Sequence, residues 1–160
     1  MTNVAPASVH ASAVRVGSRA VLIRGPSGAG KSRLAFDLIL AGRSGQIPPA
    51  VLVGDDRVHL EAVGGQLMVR PARGLMGLIE IRGLGIRRCD FAAEAIVGLV
   101  VDLSAADAER LPPPESLLIR LNGVKIPRIP VGPTYLALPL VVAALTTTEG
   151  SVSNELRRIV

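Results

Sequence analysis

A chain of 160 residues with 49% hydrophobic content is one domain's worth and can bury a core, which excludes a disordered polymer. Aromatic residues make up only 2%, so aliphatic side chains must build that core, and a base-stacking platform for single-stranded nucleic acid is excluded. The formal charge of +5 is carried by scattered arginines, with lysine only at Lys31 and Lys125, and no basic run marks a nucleic-acid or membrane surface.

Met1 to Ser18 has neither the basic start nor the unbroken apolar stretch of a signal peptide. Residues 1–12, rich in Ala, Ser and Pro and carrying His10, read as a flexible N-terminal arm. Ala13 to Val16 and Ala20 to Arg24 read as short strands joined by Gly17-Ser18. The second runs into Gly25-Pro26-Ser27-Gly28-Ala29-Gly30-Lys31-Ser32. Leu34, Leu38 and Ala41 then recur at helical spacing, with Gly42 as the expected stop. After Pro48-Pro49, an apolar strand from Ala50 to Val53 ends at Gly54-Asp55-Asp56.

Val58 to Val63 and Gln66 to Val69 read as a hairpin turned at Gly64-Gly65. A Gly- and Arg-punctuated segment from Arg73 to Arg88 precedes a buried strand, Ile96 to Leu103. Asp107 to Pro114 is a loop, and Thr134 to Leu145 reads as a helix with Pro139 near its first turn. The apolar runs Ala95 to Val101 and Leu136 to Leu145 are too short to span a bilayer. Cys89 is the single cysteine, so no internal disulfide can form, and a cytoplasmic protein is expected. The expected architecture is α/β with a mixed sheet, a catalytic domain over residues 13–148 and a C-terminal tail over 149–160.

The pattern Gly-x-x-x-x-Gly-Lys-Ser places glycines where backbone N–H groups must turn inward around phosphates. Its setting between an apolar strand and an amphipathic helix is the one a phosphate-binding loop requires, so ATP and Mg²⁺ are the expected cofactors. Lys31 would reach the β- and γ-phosphates, Ser32 would ligate Mg²⁺, and the helix N-terminus would add its dipole. In a chain that otherwise uses arginine, this compact ammonium is informative. Asp55 and Asp56 end an apolar strand, where one carboxylate can bind magnesium, directly or through water, and the other can activate a nucleophile. Glu80 sits in Leu78-Ile79-Glu80-Ile81-Arg82-Gly83-Leu84-Gly85-Ile86, and spacing alone leaves it either a solvent-facing residue or a ligand.

Taken in order, these three elements resemble the catalytic domain of HPr kinase/phosphorylase, which phosphorylates a serine of the phosphocarrier HPr. The family's loop Gly-Asp-Ser-Gly-x-Gly-Lys-Ser is matched by Gly25 to Ser32, and its Leu-Val-Ala-Asp-Asp by Leu52 to Asp56. Its signature Leu-Glu-Ile-Arg-Gly-Leu-Gly-Ile is matched by Ile79 to Ile86, and a histidine ahead of the loop by His10. The resemblance runs from about His10 to Ala144. It implies a P-loop kinase fold of the HPr kinase/PEP carboxykinase-like class. It also implies Asp56 as general base, Lys31, His10 and Arg110 as further catalytic residues, and Ser32, Asp55 and Glu80 at the metal. An HPr-type phosphocarrier as partner and a hexameric assembly are implied as well.

Three departures stand out. The 160 residues leave no room for the separate N-terminal domain of full-length members, so the short form of some proteobacteria is expected. Pro26 replaces the usual aspartate. After Ile129-Pro130-Val131 the family's Arg-Pro-Gly-Arg-Asn, tied to dephosphorylation, is replaced by Gly132-Pro133-Thr134-Tyr135, so phosphorolysis is expected to be weak or absent. The competing readings are a generic nucleotide or small-molecule kinase, for which no lid-like arginine cluster stands out, and a nucleotide-sensing module without catalysis.

Overall fold

The computed structural model describes residues 7–150. The apolar runs before the phosphate loop form antiparallel strands β1 (Val9–Val16) and β2 (Arg19–Arg24). Helix α1 (Lys31–Arg43) follows, then β3 (Ala50–Gly54), the hairpin β4 (Arg57–Val63) and β5 (Gln66–Pro71), and a second hairpin, β6 (Leu78–Ile81) with β7 (Gly85–Arg88). Strand β8 (Ala95–Leu103), a 3-10 turn (Pro114–Leu117), β9 (Leu118–Leu121), β10 (Val124–Val131) and α2 (Ala137–Thr146) complete the order.

The fold is mixed α/β, and its main sheet curls until it closes. Strands run β2-β1-β4-β5-β8, and β8 pairs back onto β2 in parallel, which makes a ring. Alternating residues then serve two cores. Ala11, Ala13, Ala20, Leu22, Val58, Leu67, Val69 and Val100 fill the ring's interior. Val14, Val21, Ile23 and Val101 face outward against Leu34, Leu38 and Ile39 of α1 and Val141 of α2. Helices flank the sheet as expected, but both pack on the outer core, while the other face is covered by the sheet itself. Burying a side chain such as Leu22 contributes about 1.5–3 kcal/mol.

Two expected boundaries move. The arm expected over residues 1–12 gives way at Val9, because Val9 and His10 pair with Val58 and Arg57 of β4 and Ala11 pairs with Arg24 of β2. The helix stop is Gly45, not Gly42. Gly45 has φ +79°, its N–H reaches Gly42 O, and Gln46 N–H reaches Ala41 O, which is a Schellman closure. Gly42 is needed for space, since a Cβ there would lie 2.7 Å from Ala50 N.

Strand directions gather the loops that matter. β2, β8 and β10 are parallel, with Arg24 beside Asp102 and Val131 beside Leu103. β1 runs opposite to β2 and β3, placing His10 and Ser12 near Arg24 and Gly54. The segments after β2, β3, β8 and β10 and the start of β1 therefore share one end of the sheet, where α/β proteins place their ligands.

Candidate functional site

Gly25 leaves β2 with φ +154°, in a region open essentially only to glycine, and a Cβ there would lie 3.0 Å from Leu103 Cβ and 3.2 Å from Leu103 O. Gly28 and Gly30 also have positive φ, at +80° and +100°. Gly30 is the N-cap of α1 with no side-chain cap, and the first turn holds no acidic residue. The free N–H groups there are open to an anion without a competing carboxylate. Lys31, 7% exposed, bonds through Nζ to Gly25 O (2.8 Å) and Pro26 O (3.1 Å), which holds the loop around its ammonium. Ser27 and Ala29 complete the loop, with Ala29 N–H donating to Pro26 O at 3.1 Å.

Asp55 is the hub of the site and is only 4% exposed. Its carboxylate accepts the Ser12 hydroxyl at 2.7 Å and the Ser32 hydroxyl at 2.8 and 2.9 Å. It also accepts the Glu80 backbone N–H at 3.0 Å. Three donors offset the burial of the charge and tie β1, α1 and β6 to the end of β3.

The next residue does the opposite. Arg57 N–H bonds to Asp55 O at 2.8 Å across Asp56, which has φ +67°, a tight three-residue turn that sends the two carboxylates apart. Asp56 keeps a largely exposed side chain, and its Oδ1 lies 2.9 Å from His10 Nε2.

The structure thus brings Lys31, Ser32, Asp55, Asp56 and His10 together and draws in the backbone of Glu80. It does not pair Arg110, which is exposed in the loop after β8 and makes no hydrogen bond or ion pair among the described residues. Ser12 was missed by sequence reasoning; its signal is a small hydroxyl residue set between Ala11 and Ala13 in β1. Missed too was a chain of ion pairs beside the phosphate loop. Arg24 grips Asp102 through Nε at 2.7 Å and Nη2 at 2.8 Å, and Arg128 Nε reaches Asp102 at 2.6 Å. Burial works against the Asp102 charge, but hydrogen bonds from Arg24 and Arg128 outweigh it and hold the carboxyl below the usual range.

Among the described residues, no three carboxylate, imidazole or thiol side chains converge as a self-sufficient metal cage. Mg²⁺ takes hard oxygen ligands and leaves much of its shell to phosphate and water, so the Ser32 hydroxyl with the adjacent Asp55 carboxylate fits it. No helix is long and apolar enough to cross a membrane among the described residues.

The chain is 31% identical over 142 residues to the HPr kinase/phosphorylase of Neisseria meningitidis serogroup C, covering 84% of this chain and 42% of that protein. It is 40% identical over 78 residues to the HPr kinase/phosphorylase of Clostridium beijerinckii, covering 49% of this chain and 24% of that protein. The chain spans less than half the length of these two relatives. The solved structure of the Hpr(Ser) kinase/phosphatase from Coxiella burnetii superposes with a TM-score of 0.68 at 25% identity, covering 96% of this chain and 97% of that one. Residues 2–134 match the HPr Serine kinase C-terminal domain, and the chain belongs to that family.

Proposed function

We propose that this protein is a serine kinase that transfers the terminal phosphoryl group of ATP to an HPr-type phosphocarrier. The observation that carries the reading is the division between adjacent aspartates: Asp55 turned inward onto Ser32, Asp56 turned outward beside His10. The reading makes the fold a P-loop kinase of the HPr kinase/PEP carboxykinase-like class. The catalytic unit expected over residues 13–148 then extends back to Val9, because His10 and Ser12 belong to β1.

In this mechanism the loop amides of Gly25 to Ser32 and Lys31 hold the triphosphate, with the N-terminus of α1 facing its charge. Ser32, Asp55 and Glu80 are the residues that would hold Mg²⁺, which would supply charge neutralisation at the phosphates. Asp56 Oδ accepts the proton of the acceptor serine hydroxyl. The serine oxygen bonds to the γ-phosphorus as the bond to the bridging oxygen breaks, leaving phosphoserine and ADP. His10 orients the Asp56 carboxylate through the 2.9 Å contact. Arg110 supplies positive charge to the transferring group.

Reverse phosphorolysis is weak in this reading, because Gly132 to Tyr135 carries no arginine. Exposed Leu84, Ile86 and Leu136 offer apolar surface for the hexamer that the resemblance implies, which light scattering would test. The test of function is ADP release by the pure protein with Mg-ATP, with and without HPr. HPr-dependent release that falls by about a hundredfold or more in Asp56→Asn supports the reading. Release independent of HPr would overturn it, and ATP binding without turnover would favour a nucleotide sensor.

A further inference from the structure

The ion pairs beside the phosphate loop extend beyond Asp102. Arg128, 13% exposed, lies with Nε on Asp102 while its other nitrogens grip Asp107, Nη1 at 2.7 Å and Nη2 at 3.0 Å. Nη1 also donates to Ser116 O at 2.9 Å. A single planar guanidinium thus clamps three points: the end of β8, the loop after it, and the 3-10 turn that closes that loop. Asp102 continues the chain to Arg24, the residue directly before Gly25. Arginine suits this use because its donors sit in a rigid fork, and two of the contacts are two-pronged.

The loop so clamped has little else to hold it. Between Ser104 and Pro114 its backbone donates from Ala105 to Val131 O at 2.9 Å and from Ala108 to Ala105 O at 3.4 Å. Its residues are exposed or partly exposed, and Arg110 makes no hydrogen bond or ion pair among the described residues. The loop leaves the sheet at the end where the phosphate loop begins, and Leu103 packs against Gly25.

We propose that Arg128 is a positioning residue: through Asp107 and Asp102 it holds the Ser104–Pro114 loop, and with it Arg110, in register with the phosphate loop. The inference rests on the kinase reading and on Arg110 acting in it. Asp107 is the place to test it, because its side chain is half exposed and its loss removes neither partner of the partly buried Arg128–Asp102 pair.

Asp107→Asn should lower kcat for HPr phosphorylation by about tenfold, the scale of a small misplacement of a charged group, with the KM for ATP unchanged. Asp107→Glu should recover most of the loss. In an Arg110→Ala background Asp107→Asn should cost nothing further, because the group it positions is already gone. Hydrogen exchange, which needs no turnover, should show the Ala105 and Ala108 amides losing protection in Asp107→Asn while β8 keeps its own.

Additive losses in the double variant, or wild-type kcat in Asp107→Asn, would overturn the positioning role while leaving the kinase reading standing. Unchanged activity in Arg110→Ala would overturn both the role of Arg110 and the inference built on it. Unchanged protection at Ala105 and Ala108 would overturn the clamp whatever the activity.

Discussion

Replacing Ser12 by alanine probes the Asp55 hub with the least disturbance. Ser12 is fully buried, its hydroxyl donates to Asp55 Oδ1 at 2.7 Å, and its Oγ accepts the Asp56 N–H at 3.3 Å. A hydrogen bond to a buried charge contributes about 1.5–3 kcal/mol. Asp55 keeps the Ser32 hydroxyl and the Glu80 N–H, so the lower part of that range applies, about 2 kcal/mol. For a chain of this size each kcal/mol moves Tm by about 2–4 °C, so Tm should fall by about 4–8 °C. Differential scanning calorimetry and urea unfolding would measure the change, with Ser18→Ala, at an exposed turn position, as the control. A Ser12→Ala protein melting within about 1 °C of wild type would refute the reasoning, because an ordinary surface change has that size.

Three further outcomes are expected. Gly25→Ala should abolish nucleotide binding and destabilise the fold by about 1–3 kcal/mol, since it forces a Cβ against Leu103 at a positive-φ position; tight binding of a fluorescent ATP analogue would contradict this. Asp102 is held ionised below the usual carboxylate range, so its contribution to stability is fully present above about pH 4, the unfolded value, and is lost as pH falls through the lower folded value. Urea unfolding below that pH should show a shallower acid limb for Asp102→Asn than for wild type. Burial, followed by the nearby Asp90 charge, pushes the Cys89 thiol up, so alkylation at neutral pH should be slow in the folded protein and fast in urea.

The strand, loop and helix around Gly25 to Ser32, the acidic pair after β3 and the Gly64-Gly65 hairpin were legible because each is written in consecutive residues. Both hairpin glycines adopt positive φ, as a two-residue turn with this twist demands. The β9–β10 hairpin escaped although Asn122-Gly123 signals it, because Pro127 and Pro130 argue against a strand. β10 tolerates them by pairing with β9 only through Pro127 and with β8 only from Arg128 onward. Ring closure was not legible, since it depends on β2 and β8 pairing across more than seventy residues of chain. The same pairing explains why Arg24, Asp102 and Arg128, far apart in the sequence, become neighbours only through strand register. The opposite exposure of Asp55 and Asp56 depends on one turn at Asp56, which sequence spacing cannot supply.

The central claim is tested most directly by intact mass spectrometry of HPr after incubation with this protein, ATP and Mg²⁺, with the modified residue located by fragmentation. The account predicts a gain of one phosphate on a single serine, absent with Lys31→Ala. Unmodified HPr in the presence of protein that demonstrably binds ATP would contradict it.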